Sequence, residues 1–430
     1  MEDTMKKGNF VLLVLLATLI GFTGCSKEKT AAASEDSGKV EGNLIVWSWD
    51  VALAHLEEVA PGFQELYPDV KFNFEEMGTT QIYGKMTTSL ASGIGLPDLV
   101  SLEGEQMSKF GSKFPDKFLD LTSHVNPSDF LPVKIGEATS GGKIIAYPWD
   151  AGPCGLYYRS DIFEQGGIHA EDIKTWDDFI TAGIALKEKT GVAMMPLATS
   201  RKDTFYRLLL MQLDSFYFDD AGNTRVNSAE SIRAMEMVKK IYDADITVND
   251  GSWDDYIISI KEGLVATVPE AVWLIGSIKD AAPDTAGLWR IMPLPGFDEN
   301  NRNGSSNGGS VLAIPAVTKS PDAAIAFAEY AMTDQAGLIQ GFKNYGLYPS
   351  YIPVYQADIF QQGDEFFGGQ KIYSMFGEIG KSIPAVNYTQ NFAETLDLSK
   401  NAVAKVLLKG ADVTQTMNDL QNELSAKFDK

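Results

Sequence analysis

Apolar positions along the chain mark its elements. Asn43 to Trp49 (NLIVWSW) is a β-branched and aromatic run that predicts a buried strand. Ala52, Leu53, Leu56, Val59, Ala60, Phe63 and Leu66 then recur at helical spacing, and Tyr67-Pro68 ends that helix. Val70 to Phe74 alternates as a strand, Gln81 to Ser92 reads as a helix closed by Gly93, and Asp98 to Leu102 as a third strand. This β-α-β-α-β order implies a parallel sheet covered by helices.

Further on, Lys143 to Tyr147 and Gly155 to Tyr158 are strand-like, separated by Pro148-Trp149-Asp150-Ala151-Gly152-Pro153. Thr175 with Asp178 three residues later is a near capping box, and Asn227-Ser228 starts a helix through Ile232, Met235, Val238 and Ile241. Val265 to Val268, Trp289 to Met292 and Val311 to Ile314 predict strands. Pro321 opens an alanine-rich helix, and Leu396 to Phe428 is helical with a break at Gly410. Asn300 to Gly309 reads as a glycine- and asparagine-rich loop or hinge.

The N-terminus carries a different message. Lys6 and Lys7 precede an apolar run from Phe10 to Phe22, which ends in Thr23-Gly24-Cys25. At thirteen residues the run falls short of the roughly 20 that span a bilayer, so the segment reads as a secretory signal, residues 1–24. Cys25 after Thr-Gly resembles the bacterial lipobox, with Phe22 where leucine is usual, and is the expected lipidation site. Residues 25–42 are small and polar and read as a flexible tether. The expected location is outside the cell membrane and anchored to it, facing a periplasm or the exterior.

Composition narrows the function. The chain has 430 residues, 58 acidic against 36 basic side chains and a formal charge of −22. That balance argues against nucleic acid, whose affinity rests on Lys and Arg neutralising phosphates. Three histidines and two cysteines, without CxxC or HExxH, leave little for a metal, and no cofactor is expected. With Cys25 lipidated, Cys154 is the only other thiol, so no internal disulfide is expected.

The order of motifs resembles the extracellular solute-binding proteins of ABC importers, the family that includes maltose-binding protein. The matching pieces are FQELYPDVKFNFE (63–75), ASGIGLPDLVSLEG (91–104), SGGKIIAYPWDAGPCGLYYRSDIFEQGGI (140–168), TWDDF (175–179), GLVATVPEAVW (263–273) and GGSVLAIPAVTKSPDAAIAFAEYAMTDQAGL (308–338). The resemblance implies an α/β, two-lobe, type II periplasmic-binding-protein-like fold. Each lobe would be a mostly parallel sheet with covering helices, joined by a hinge. The N-lobe would comprise 43–150 plus 310–355 and the C-lobe 151–305 plus 356–430. Chain crossings would fall near Trp149 to Cys154, Ser305 to Leu312 and Ile352 to Asp364. It implies a monomeric, non-enzymatic receptor that captures a mono- or oligosaccharide and delivers it to the transmembrane subunits of a permease. Same-fold receptors for a polyamine, an organic acid or iron remain open, as does a secreted glycosidase.

Sugars present apolar C–H faces and rings of hydroxyls, so a binder needs aromatic plates and planar polar groups. Ligands in open α/β sheets sit beyond the carboxyl ends of strands. Trp47, Trp49 and Asp50 end the first strand there; Glu103, Glu105 and Gln106 follow the third. Trp149 and Asp150 lie in the first crossing. The resemblance adds Trp273, which aligns with a sugar-stacking tryptophan, and Glu270 three residues before it. It also adds Arg201 and Asp203 in a ligand-contacting loop, and Tyr345 and Tyr348. Trp47, Trp149 and Trp273 also fit core packing, Glu103 and Glu105 a solvated loop, and the two tyrosines a layer beneath the cleft. Leu102, Gly152 and Gln106 stand where maltose-binding protein has a stacking tryptophan, a glutamate and an arginine. That makes maltose itself an unexpected ligand.

Overall fold

The computed structural model describes residues 40–298 and 304–428; the expected signal, Cys25 and most of the tether lie outside the described residues. Eight strands form the two main sheets: β1 (Gly42–Ser48), β2 (Val70–Glu76), β3 (Leu99–Glu103), β4 (Ala146–Pro148), β5 (Cys154–Arg159), β6 (Thr267–Ala271), β7 (Trp289–Pro293) and β8 (Ser310–Ala313). The first sheet has the order β2-β1-β3-β8-β4. Its first three strands are parallel, with Val46 opposite both Phe74 and Leu99, while β8 runs antiparallel to β3 and β4. The second sheet, β6-β5-β7, is antiparallel throughout. The expected parallel order therefore holds for β1–β3 and fails in the second sheet. The reason is topological: β5 leads away from the crossing between the sheets, whereas β6 and β7 run back towards it, ending opposite Cys154 and Gly155.

Local signals place most elements. The helix α1 (Asp50–Leu66) buries Ala52, Leu53, Leu56, Val59, Ala60 and Phe63, the face that the spacing picks out. The helix α2 (Thr79–Ser92) ends on left-handed Gly93, and the C-terminal hairpin breaks at left-handed Gly410. The Thr175–Asp178 capping box forms. Two strands differ from expectation. Lys143 to Tyr147 divides into a two-residue hairpin arm, Lys143–Ile144, and β4. The strand foreseen at Val265 to Val268 is shifted to Thr267–Ala271 and includes Pro269, which an edge position tolerates.

Three hydrophobic clusters hold these layers. One joins the first sheet to α1, α2 and the helix Pro321–Thr333; Phe63, Phe72 and Phe327 meet edge-on within it. A second packs Trp176 and the C-terminal hairpin around the helix Thr204–Gln212. The third sets Tyr157 and Trp289 of the second sheet against Phe342, Tyr348 and Phe376.

Between the sheets, three stretches of chain run side by side. Cys154 N donates to Ser305 O (2.9 Å) and Asn307 N to Gly152 O (2.9 Å). Trp149 N donates to Ser310 O (3.2 Å), Ala151 N to Tyr348 O (2.8 Å) and Ser350 N to Trp149 O (2.8 Å). The third stretch is thus Tyr348 to Ser350, ahead of the expected Ile352 to Asp364, which instead forms short helical turns. Asp150 stitches the first two: its Oδ1 accepts from Ser310 N at 2.8 Å and from the Ser310 hydroxyl. Gly309 has φ +100°, and a Cβ there would lie 2.5 Å from Asp150 O.

Two predictions follow from this packing. Gly309→Ala should cost about 1–3 kcal/mol in a urea titration, through left-handed strain plus that clash. Gly141→Ala, also left-handed but with nothing within 4 Å of a Cβ, should cost less. His55, 1% exposed, stacks near Trp149 (5.5 Å) with Nε2 on Gly337 O (3.1 Å) and Nδ1 unpartnered. Burial lowers its pKa, opposed by Gly337, Glu58 and Asp150. The folded state then disfavours the imidazolium. Stability should be full above the unfolded value of about 6.5 and fall as pH drops towards the folded pKa, a slope that His55→Leu should flatten.

Candidate ligand-binding cleft

The carboxyl ends of β1 and β3 open towards the crossing. Beyond β1, Trp49 is half-buried and Asp50 is exposed. Asp50 begins α1 at φ +34°, a strained conformation for a residue with a side chain. Beyond β3 the chain turns into the helix α3 (Gly104–Lys113), which presents Glu103 and Glu105 at its start. Gly104 is required there: a Cβ would fall 1.7 Å from Glu137 Oε2. Glu137 is buried at the end of the short helix α4 (Pro132–Ala138) and pairs with fully buried Lys134.

Glu103, Gly104, Glu105 and Glu137 line a chamber of about 150 Å³ together with Arg207, Tyr388 and the crossing segment Ser306 to Gly309; Trp49 and Asp50 lie outside its lining. Tyr83 donates its hydroxyl to Glu103 Oε2 at 2.6 Å and holds that carboxylate in place. Burial pushes Glu105 up to about 7; Arg207 opposes the shift, and Glu103, Glu137 and Asp203 add to it. Arg207 is oriented from below, its Nε donating to Asp203 Oδ1 (3.1 Å), while Tyr217 donates to the other Asp203 oxygen. Ser306 is 5% exposed, and its hydroxyl has no partner in the protein.

Asn307 joins the chamber to an aromatic wall. Its carbonyl accepts from Trp273 Nε1 (3.1 Å) and its Nδ2 donates to Glu270 Oε1 (2.7 Å). Burial raises the Glu270 pKa; Lys202 and Asn307 oppose it. Trp273 packs 6.1 Å from Trp253, which in turn stacks on Tyr256 at 5.5 Å. Trp253 is 46% exposed, so the wall offers an open aromatic face.

The structure thus brings together Glu103, Glu105, Glu270 and Trp273 among the residues singled out from sequence. It places others elsewhere. Trp149 (1% exposed) lies in the core beside His55, and Tyr348 is buried with its hydroxyl on Tyr373 O (2.6 Å). Tyr345 sits by Glu57 and Glu58 of α1. The ring of Trp47 is covered by Lys85, whose Nζ is 3.9 Å from its centroid. Gln106 has a buried, unpartnered Oε1. Arg201 is tied to Asp250 (2.6 Å), Asp203 holds Arg207 from beneath, and Asp150 is engaged by Ser310. Arg207, Ser306, Asn307 and Trp253 had not been singled out. The Asp203–Arg207 spacing of four on one helix was the available signal for the arginine; the others needed the crossing to be folded.

Chemically, the cleft combines flat aromatic surface with carboxylates, an arginine, a serine hydroxyl and an asparagine amide. This set suits a ligand that is flat and apolar on one side and rich in hydroxyls around its rim. Among the described residues, no group of three or more His, Cys, Asp or Glu is placed to hold a metal ion. No described helix is long and apolar enough to cross a membrane.

Comparison with known proteins places this architecture. The curated relatives include a lactose-binding protein of Rhizobium radiobacter, 29% identical over 396 residues (90% of this chain, 93% of the relative). An arabinooligosaccharide-binding protein of Bacillus subtilis strain 168 is 27% identical over 435 residues (97% and 98%). Among solved structures, an extracellular solute-binding protein of family 1 superposes with a TM-score of 0.77 at 21% identity (89% and 98%). A transporter-associated binding protein from B. animalis subsp. lactis Bl-04, in complex with β-1,6-galactobiose, gives 0.71 at 20% identity (90% and 97%). The two-lobe fold is shared with these structures. Residues 58–368 match the family described as bacterial extracellular solute-binding protein, and the chain belongs to that family.

Proposed function

We propose that this protein is the receptor of an ABC importer for a sugar, holding a mono- or oligosaccharide between its lobes and passing it to the transmembrane permease. The observation that carries this is the Trp253–Trp273 wall beside Glu270, Asn307, Arg207 and Glu105. Aromatic faces stack on the C–H side of a pyranose or furanose, while carboxylates accept and arginine donates at its hydroxyls. Two of the most similar curated relatives are named for lactose and arabinooligosaccharide binding, which supports the sugar class. Binding requires no chemistry of the cleft carboxylates; their task is to orient hydroxyls, and the protein acts as a receptor rather than an enzyme. Closure of the lobes is driven by ligand contacts that form only when both sides meet it. The protein works as a monomer, exported and held to the membrane by lipid on Cys25. Its acidic surface faces basic loops of the permease.

The test is a titration of residues 26–430, followed by tryptophan fluorescence and thermal shift, against galacto-, arabino- and malto-oligosaccharides, monosaccharides and spermidine. One saccharide series should bind saturably. A response to spermidine alone would replace the sugar reading with a polyamine one, in which the same carboxylates face ammonium groups. Trp273→Ala should weaken the saccharide by about tenfold or more and remove most of the fluorescence change. Glu105 supplies a pH signature. Its carboxyl sits near 7, so it gains its charge, and its strength as an acceptor, as pH rises through neutrality. Affinity should fall between pH 8 and 6, and Glu105→Gln should abolish that dependence; a flat profile in the unsubstituted protein would remove Glu105 from the binding set.

A further inference from the structure

Beyond the chamber the space between the lobes continues. Tyr388 lines the chamber on one side and, on the other, a groove of about 530 Å³. The two spaces are therefore neighbours across one ring. That ring is held rigidly: Tyr388 packs 5.0 Å from Phe216 and 4.8 Å from Phe392, both edge-on. Chamber and groove follow α3 in succession: Glu105 at its start lines the chamber, and Ser112 near its end lines the groove. Seven residues of helix rise about 10 Å, more than one sugar ring occupies.

The two spaces differ in chemistry. The chamber is charged, with three carboxylates and Arg207. The groove is lined by hydroxyls and amides, among them Ser112, Thr139, Ser140, Thr389, Gln390 and Asn391; Asp220 is its one charged lining residue. Ser112 donates its hydroxyl proton to Ser108 O (2.8 Å) and Thr139 to Ile135 O (2.6 Å), so both present acceptor lone pairs to the groove. Such a surface matches neutral hydroxyl-rich units, and it lacks the paired charges that an ionic ligand would need. The chamber by itself is smaller than the roughly 300–1,000 Å³ of typical ligand pockets, whereas the groove lies within that range.

We infer that the ligand is an oligosaccharide of three or more units. One terminal unit sits in the chamber by the Trp273 wall, and the chain leaves past Tyr388 into the hydroxyl- and amide-lined groove. This rests on the sugar-receptor reading and deepens it from sugar to chain length.

The test is isothermal titration of residues 26–430 with galacto-, arabino- and malto-oligosaccharides of one to five units. It is repeated with Ala221→Trp, an exposed groove residue outside the chamber, and with Gln390→Trp. In the series that binds, affinity should rise about tenfold or more between the disaccharide and the trisaccharide. Both variants, checked for an unchanged melting temperature, should remove that gain while leaving the shorter sugars unaffected. Affinity that levels off at one or two units, or variants that leave the whole series unchanged, would overturn the inference while the receptor reading stands. No response to any series by folded protein would overturn both.

Discussion

Everything in the cleft depends on the backbone pairing of the three stretches that pass between the sheets. Trp149 to Cys154 is hydrogen-bonded both to Ser305–Ser310 and to Tyr348–Ser350 through backbone amides and carbonyls. Such bonds are directional and must be made when buried, so the stretches have one relative placement. That placement carries Asn307 to the point where its carbonyl meets Trp273 and its amide meets Glu270. It also sets Ser306 and Gly308 into the chamber wall. The candidate ligand surface and the connection between lobes therefore share these few residues.

Several of the charged groups follow one rule. Three buried carboxylates are paired within their own neighbourhood: Glu137 with Lys134, Asp203 with Arg207, and Asp250 with Arg201 and Lys202. An unpaired buried charge is expensive, and local pairing avoids it without ligand present. Glu105 and Ser306 depart from that rule. Glu105 stands among like charges with a raised pKa, and the Ser306 hydroxyl has no protein partner. Both line the chamber.

The tryptophans show how much of the site was readable in advance. Trp47, Trp149 and Trp273 share residue type and lie near strand ends or crossings, yet only Trp273 stands at the wall. Trp149 is enclosed by His55 and the first core, and Trp47 lies under Lys85. One-dimensional spacing cannot separate these cases, because a large aromatic is equally suited to a core and to a ligand face. Glu103 and Glu105 were legible for a better reason: the end of a parallel strand is a place with known exposure.

The sequence by itself determined the elements of β1, α1, β2, α2 and β3, the helix caps at Thr175, Gly93 and Gly410, and membership of a recognisable family. Periodicity and capping act within a few residues, so they survive without knowledge of the fold. Tertiary structure decided the antiparallel second sheet, the position of the third crossing stretch, and the meeting of Arg207, Ser306, Asn307 and Tyr388 with Glu105. These residues lie up to 283 positions apart along the chain, between Glu105 and Tyr388. Only the packing of both lobes around the crossing brings them together, and no local pattern encodes that encounter.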